Sequence, residues 1–191
     1  RDLIQKNNFK ILLKKGFAFQ AFPLGNALLF QGNLLIVQTI LGPTAVALFG
    51  TIRTLVRSVN QVLELINQVI WPELCHLIGT GDFFKAARLH RLGVSISLLL
   101  ASLFVIALSF FGQYFYNIWT DNAISLPQNL LLLFLLPIPF NSLWFTSSVV
   151  HTASNQYENL AVRYLIATCF SAFACTYLSY FIGIEGAAIS T

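Results

Sequence analysis

The chain has 191 residues, of which 57% are hydrophobic and 9% charged, with a formal net charge of +4. A soluble domain carries about 25% charged residues, so this composition excludes an ordinary soluble enzyme. It also excludes a nucleic-acid partner, because the basic residues cluster beside apolar runs as the positive-inside rule requires of membrane proteins.

Residues 16–52, 92–120, 122–157 and 164–184 contain no Asp, Glu, Lys or Arg. Charge-free apolar runs of this length are transmembrane candidates. In chain order, the first predicted span covers 16–41, with Pro23 as a kink. Leu41-Gly42-Pro43 ends it and starts the next, since Gly closes helices and Pro opens them. The second span covers 44–71. A loop follows over 73–91, with a turn at residues 79–82 and Asp82 as the N-cap of a short helix running to Arg91. Phe83, Ala86, Ala87 and Leu89 would rest on the membrane while Lys85, Arg88 and Arg91 meet headgroups. The third span covers 92–115 and the fourth 127–150, broken by Pro137 and Pro139. The fifth covers 164–182, and after a turn at 183–186 a sixth would begin near Ala187. The expected fold is all-α: a polytopic membrane helix bundle of about five spans and the start of a sixth.

Arg1, Lys6, Lys10, Lys14 and Lys15 precede the first span. Lys85, Arg88 and Arg91 lie between the second and third, and Arg163 between the fourth and fifth. These segments share one side, so that side is cytoplasmic. Tyr114, Tyr116 and Trp119 should mark the outer interface and Trp71 the inner one. The chain starts at Arg1 and has no Met, and its end resembles the start of another helix. It is therefore expected to be an internal part of a larger polytopic protein.

The remaining basic residues, Arg53 and Arg57, lie inside the second span. With Asn60, Gln61, Glu64, Asn67 and Gln68 they fall within one arc of about 120°, at about 100° per residue. Val56, Val59, Val62, Leu63, Leu65, Ile66, Val69 and Ile70 fill the rest of the wheel. Each charge at the centre of a lipid-facing helix costs about 2.5–3.5 kcal/mol, and three cost on the order of 8–10 kcal/mol. The stripe should therefore face a wet cavity. Arg matches phosphate oxygens bidentately, and Asn and Gln amides suit sugar hydroxyls. The competing explanation is a network of ion pairs and amides that binds helices together. Gln20, Gln31 and Gln38 share a face of the first span, and Asn26 and Asn33 share another, where packing is the simpler role. Asn141, Ser142, Thr146, Ser147 and Ser148 suit helix–helix hydrogen bonds.

No nucleophile, phosphate-loop or metal-site motif occurs, so no enzymatic activity, cofactor or metal is expected. His76, His90 and His151 form no ligand set. Cys75, Cys169 and Cys175 form no CxxC pair and read as small buried hydrophobes.

The stretch Leu41-Gly42-Pro43, Phe49-x-x-x-Arg53-Thr54-Leu55-x-Arg57-x-x-Asn60-Gln61, Trp71-Pro72-Glu73-Leu74 and Gly79-x-Gly81-Asp82 resembles the Wzx-type oligosaccharide flippases of bacterial polysaccharide synthesis. These belong to the multidrug/oligosaccharidyl-lipid/polysaccharide exporter superfamily. The Gly183-x-x-Gly186-Ala-Ala ending is similar too. The resemblance implies two helical bundles around a central cavity, of which this chain would begin the second. It implies alternating access in the bacterial inner membrane and an undecaprenyl-diphosphate-linked oligosaccharide as substrate. It also implies membrane lipids as surroundings, H+ or Na+ as coupling ion, and a further N-terminal bundle as partner. No motif here carries over a coupling-ion site. A cation-coupled drug antiporter of the same superfamily is the alternative, though two Arg against one Glu favour an anionic substrate. A membrane-embedded glycosyltransferase finds only Asp121 and Glu185 in the outer loops.

The orientation has a direct test. In a variant lacking the native cysteines, an impermeant thiol reagent added to intact cells should label Asn122→Cys and spare Lys85→Cys. The reverse pattern would invert the topology.

Overall fold

The computed structural model describes residues 6–122, 124–155 and 157–190, and side chains from residue 13 onward except that of Lys14. Arg1 and the side chains of Lys6, Lys10 and Lys14, part of the expected basic flank, lie outside that description. Helix α1 (Lys6–Ala27) passes into a π-helical turn (Leu28–Gly32) and continues as α2 (Asn33–Leu41). Then come α3 (Pro43–Gly79), α4 (Phe83–Trp119), α5 (Gln128–Leu135), α6 (Ile138–Ala153), α7 (Glu158–Ile182) and α8 (Ile184–Ile189). There is no strand among the described residues.

Four stretches are long and apolar enough to cross a membrane: Lys15–Leu41, Phe83–Trp119, Gln128–Ala153 and Glu158–Ile182. Helix α3 is not among them, although it has 37 residues. Its charged and amide stripe lowers its hydropathy. Large apolar side chains point outward, Phe110 at 79% exposure and Phe170 at 71%. Apolar faces of that extent suit lipid rather than water.

The punctuation follows the sequence closely at some joints. Gly42 takes φ +85, a left-handed value open to Gly without strain, and Pro43 follows as the first helical residue of α3. Asp82 caps α4, its Oδ1 accepting from the Lys85 amide at 3.2 Å and its Oδ2 pairing with Lys85 Nζ at 2.7 Å. The side-chain hydrogen bond from Lys85, with the backbone one after it, holds the Asp82 carboxyl below the ordinary carboxylate range. Pro137 separates α5 from α6 as expected.

Elsewhere the helices run further than the spacing predicts. Helix α3 continues through Pro72 to Gly79, and α4 runs without a break past Arg91. Residues 73–91, read as a loop, are thus helical except at 80–82. Tyr116 does not face outward as expected of an interfacial aromatic. It is fully buried, and its hydroxyl lies 2.6 Å from Thr51 Oγ1. Two helical residues span about 200°, so Tyr116 faces inward where Tyr114 faces out. Of the cysteines only Cys175 is buried, while Cys75 and Cys169 are exposed.

Helix α3 packs against α4 and α6, α1 against α7, and α2 against both α3 and α7. Phe49, Ile52, Val56, Val59 and Leu63 of α3 are buried at an alternating three-four spacing that makes a straight seam, and Leu74 is buried further along. That seam is centred about 100° from the polar stripe, so the stripe lies beside the core and not across the helix from it. Phe49 anchors the seam through an edge-on contact with Phe134 of α5 at 5.1 Å. Between α4 and α6, Thr146 Oγ1 donates to Ser97 Oγ at 3.0 Å, the one interhelical bond found among the expected hydroxyls. Ser142 and Ser148 bond to backbone within their own helix.

Helix α8 turns back against α7 after Gly183, which has φ +76. A Cβ on Gly186 would collide with the carbonyl group of Leu178. Gly186→Ala should therefore push α8 off α7 and lower stability by about 1–3 kcal/mol. Gly16→Ala, where nothing lies within 4 Å, should be neutral. Thermal unfolding in detergent compares the two, and equal midpoints would contradict this packing.

Candidate functional site

The site starts at the π-helical turn. Bonding from i to i+5 widens the helix and leaves carbonyls short of partners. Arg53 of α3 supplies donors. Its Nη2 donates to Leu29 O at 2.6 Å and its Nη1 to Phe30 O at 3.2 Å. The guanidinium carbon lies 4.4 Å from the Phe30 ring centroid and 5.6 Å from that of Phe49. Arg57, one turn on, places its Cζ 5.0 Å from the same Phe30 ring. Two cations therefore share one aromatic ring, each contact contributing roughly 0.5–2 kcal/mol according to its desolvation. Arg53 is half-buried and already committed to backbone, whereas Arg57 is exposed and makes no hydrogen bond among the described residues.

Phe30, Arg53 and Arg57 form a waist between two clefts. On the Pro43 side a cleft of about 330 Å³ runs along Val46, Gly50 and Thr54, with Gln31 opposite. On the Gly79 side a cleft of about 460 Å³ runs along Asn60, Gln61 and Glu64. The second cleft is closed on its other flank by Asn141, Trp144 and Phe145 of α6 and by Tyr164 of α7. Behind the waist a small void of about 60 Å³ reaches Pro137 at the break between α5 and α6.

Five of the seven stripe residues thus line one cleft: Arg53, Arg57, Asn60, Gln61 and Glu64. Asn67 lies in a narrow crevice that it shares with Asn60, Glu64, Ser142, Phe145 and Thr146, and its buried Oδ1 has no partner among the described residues. Gln68 is exposed and borders none of these spaces. The network of ion pairs and amides does not form. Among the described residues Glu64 pairs with no cation, and neither Asn60 nor Gln61 makes a side-chain hydrogen bond.

The opposite wall is aromatic. Trp144 stacks on Tyr164, with centroids 5.2 Å apart and planes 26° apart. Tyr164 leans on Phe22 at 5.6 Å, and its hydroxyl donates to Asn26 Oδ1 at 2.6 Å. Gly25 allows this, since a Cβ there would lie 2.6 Å from Tyr164 Cε1. The cleft therefore sets cations and amides against a flat, partly exposed indole. Such a pair of walls can hold an anion on one side and an apolar ring or sugar face on the other.

Asn26 and Asn33 do not share a face. Asn26 borders the cleft, while Asn33 is fully buried with both amide atoms unpartnered among the described residues. The π-turn between them advances the helix by an extra residue, about 100° of rotation. The sequence reading missed Trp144, Tyr164 and Phe30. Only the proximity of Trp144 to Asn141 on one helix hinted at a functional face.

Comparison with family models, with curated proteins and with solved structures finds no match to this chain.

Removing the Arg53 side chain should expose what it holds. Arg53→Ala leaves the Leu29 and Phe30 carbonyls without their donors, a cost of about 1–3 kcal/mol. Thermal unfolding in detergent should register that loss, and amide exchange over residues 28–32 should accelerate. Arg57→Ala should change stability by less than about 0.5 kcal/mol. Equal behaviour of the two variants would dissolve the distinction between a structural and a free arginine.

Proposed function

We propose that this chain forms part of a transporter that moves an undecaprenyl-diphosphate-linked oligosaccharide across the bacterial inner membrane. Helix α3 is then a fifth membrane span, with its polar stripe turned to the translocation path. The observation that carries this reading is the waist: two clefts meet at an Arg–Phe–Arg cluster that offers one uncommitted guanidinium. A path that opens alternately to either side needs a substrate contact reachable from both, and Arg57 borders both spaces. Guanidinium binds phosphate oxygens with charge-assisted, bidentate hydrogen bonds. The unbonded amides of Asn60 and Gln61 fit hydroxyl-rich sugars below it. A proton or sodium gradient would drive the cycle, in line with the superfamily resemblance.

One observation favours a second reading. Glu64 faces Trp144, Phe145 and Tyr164 across the same cleft, and an acid among aromatics suits a lipophilic cation. That arrangement supports a drug antiporter. Position decides between the two, since Arg57 borders both clefts whereas Glu64 does not border the one on the Pro43 side.

The gene encoding this chain, expressed whole in a strain lacking its own flippase, tests the reading through surface polysaccharide and membrane abundance. Arg57→Lys should retain partial export, because a point cation still binds phosphate without the bidentate geometry. Arg57→Ala should reduce export about 10- to 100-fold, the equivalent of one charge-assisted hydrogen bond. Arg57→Glu should abolish it, with protein levels unchanged throughout. Normal export from Arg57→Glu would remove Arg57 from the substrate path, and loss of drug resistance in place of polysaccharide would turn the assignment toward the antiporter.

A further inference from the structure

Another cavity lies away from the waist. It measures about 510 Å³ and is bordered by Lys15, His151, Asn155, Asn159 and Arg163, together with Glu158. Lys15 opens the first apolar stretch, His151 lies at the end of the third, and Glu158 and Arg163 lie at the start of the fourth. Three span ends therefore meet at one end of the bundle, and each brings a basic or titratable side chain to a single concave space.

Lys15 and Arg163 outnumber the one acid on the lining, Glu158. Neither Lys15 nor Arg163 forms an ion pair among the described residues, while Glu158 is engaged in an interaction of its own. Two cations facing one concave space raise the local potential and attract an anion. Asn155 and Asn159 add neutral amide donors and acceptors on the same rim. Asn155 sits at φ +57 in the turn that joins α6 to α7, which turns the chain sharply beside the cavity.

We infer that this cavity binds the phosphate of an anionic phospholipid headgroup. Its position at the ends of apolar spans places it at headgroup depth. Basic pockets between membrane helices on the cytoplasmic side hold such headgroups. Lys15 and Arg163 supply the charge, Arg163 with a planar fork and Lys15 as a point cation. His151 and the two asparagines complete the rim. The acyl chains would lie along the outward apolar faces of α1 and α7, where Phe17 and Ile166 are exposed. This site is independent of the transport reading, because none of its side chains borders the waist clefts.

The test uses the whole chain in nanodiscs of phosphatidylcholine doped with phosphatidylglycerol, released into detergent and weighed by native mass spectrometry. One phosphatidylglycerol should be retained in preference to phosphatidylcholine. Lys15→Ala with Arg163→Ala should weaken that retention roughly tenfold or more, as expected for two basic contacts near a membrane surface. Lys15→Arg with Arg163→Lys should preserve it, which separates lost charge from lost folding. Arg88→Ala with Arg91→Ala, basic residues on exposed positions of α4 that meet headgroups only as open surface charge, should weaken it much less. A further arm adds millimolar inorganic phosphate. Undiminished lipid retention assigns the site to a headgroup, and displacement by phosphate assigns it to the free anion. Equal retention of both lipids, or equal loss in the Arg88/Arg91 pair, would overturn the site and leave only general charge attraction.

Discussion

A bilayer core offers no water to a backbone carbonyl, so every irregular turn at that depth must find its donors within the protein. The π-helical turn at Leu28–Gly32 is such an irregularity, and Arg53 is its donor. The two bonds tie the first helical unit to α3. They also fix Phe30 over the guanidinium, and Phe30 in turn receives Arg57. One charged side chain thus satisfies a backbone defect, joins two helices and sets the position of the free cation. The arrangement explains how a cation can persist beside an apolar seam. Arg53 is held by carbonyl dipoles and ring faces, while Arg57 opens to the clefts.

The polar stripe was legible because a helical wheel needs only the sequence and the 3.6-residue period. Five of its seven members share a cleft, as the wheel implied. Asn67 and Gln68 depart because the wheel has no length: they lie further along α3, where Asn67 borders a narrower crevice with Phe145 and Thr146 and Gln68 is exposed. Residues of the opposite wall were invisible for a related reason. Trp144 and Tyr164 are 20 positions apart and meet only through the fold, and single aromatics in apolar spans carry no signal of their own. The π-turn left no mark either, since Leu-Leu-Phe-Gln-Gly contains neither Pro nor a charged residue. Its effect was to put Asn26 and Asn33, which the regular period placed together, on different faces.

The proline signals divided in an instructive way. Pro137 ends α5, where Pro139 follows at the start of α6 and two donors are lost in one turn. Pro72 ends nothing, since α3 runs on to Gly79. A single missing N–H interrupts one bond, and a helix with a long packed seam on its N-terminal side and apolar residues beyond has more to lose by stopping. The break at Pro137 has a consequence for the site. It sits behind the waist, beside the 60 Å³ void that also touches Arg53 and Arg57. Backbone irregularities therefore lie on both sides of the arginine pair, one in the first helical unit and one at the α5–α6 joint. Helices interrupted at the same depth are where rigid segments can hinge, so the pair lies between the two places in the chain best suited to move.

The exposure of the stripe carries the last step. Arg57, Gln61 and Glu64 are all open, and none of them makes an ion pair or side-chain hydrogen bond among the described residues. Lipid cannot cover that face, because two charges on it would cost on the order of 5–7 kcal/mol on the insertion scale. The outward faces of α4 and α7, by contrast, carry large exposed apolar side chains that lipid suits well. The bundle therefore has two kinds of outer surface. One is finished as it stands against hydrocarbon. The other requires water or another protein surface against it in a membrane, and a polar cavity walled on one side by this chain meets that requirement.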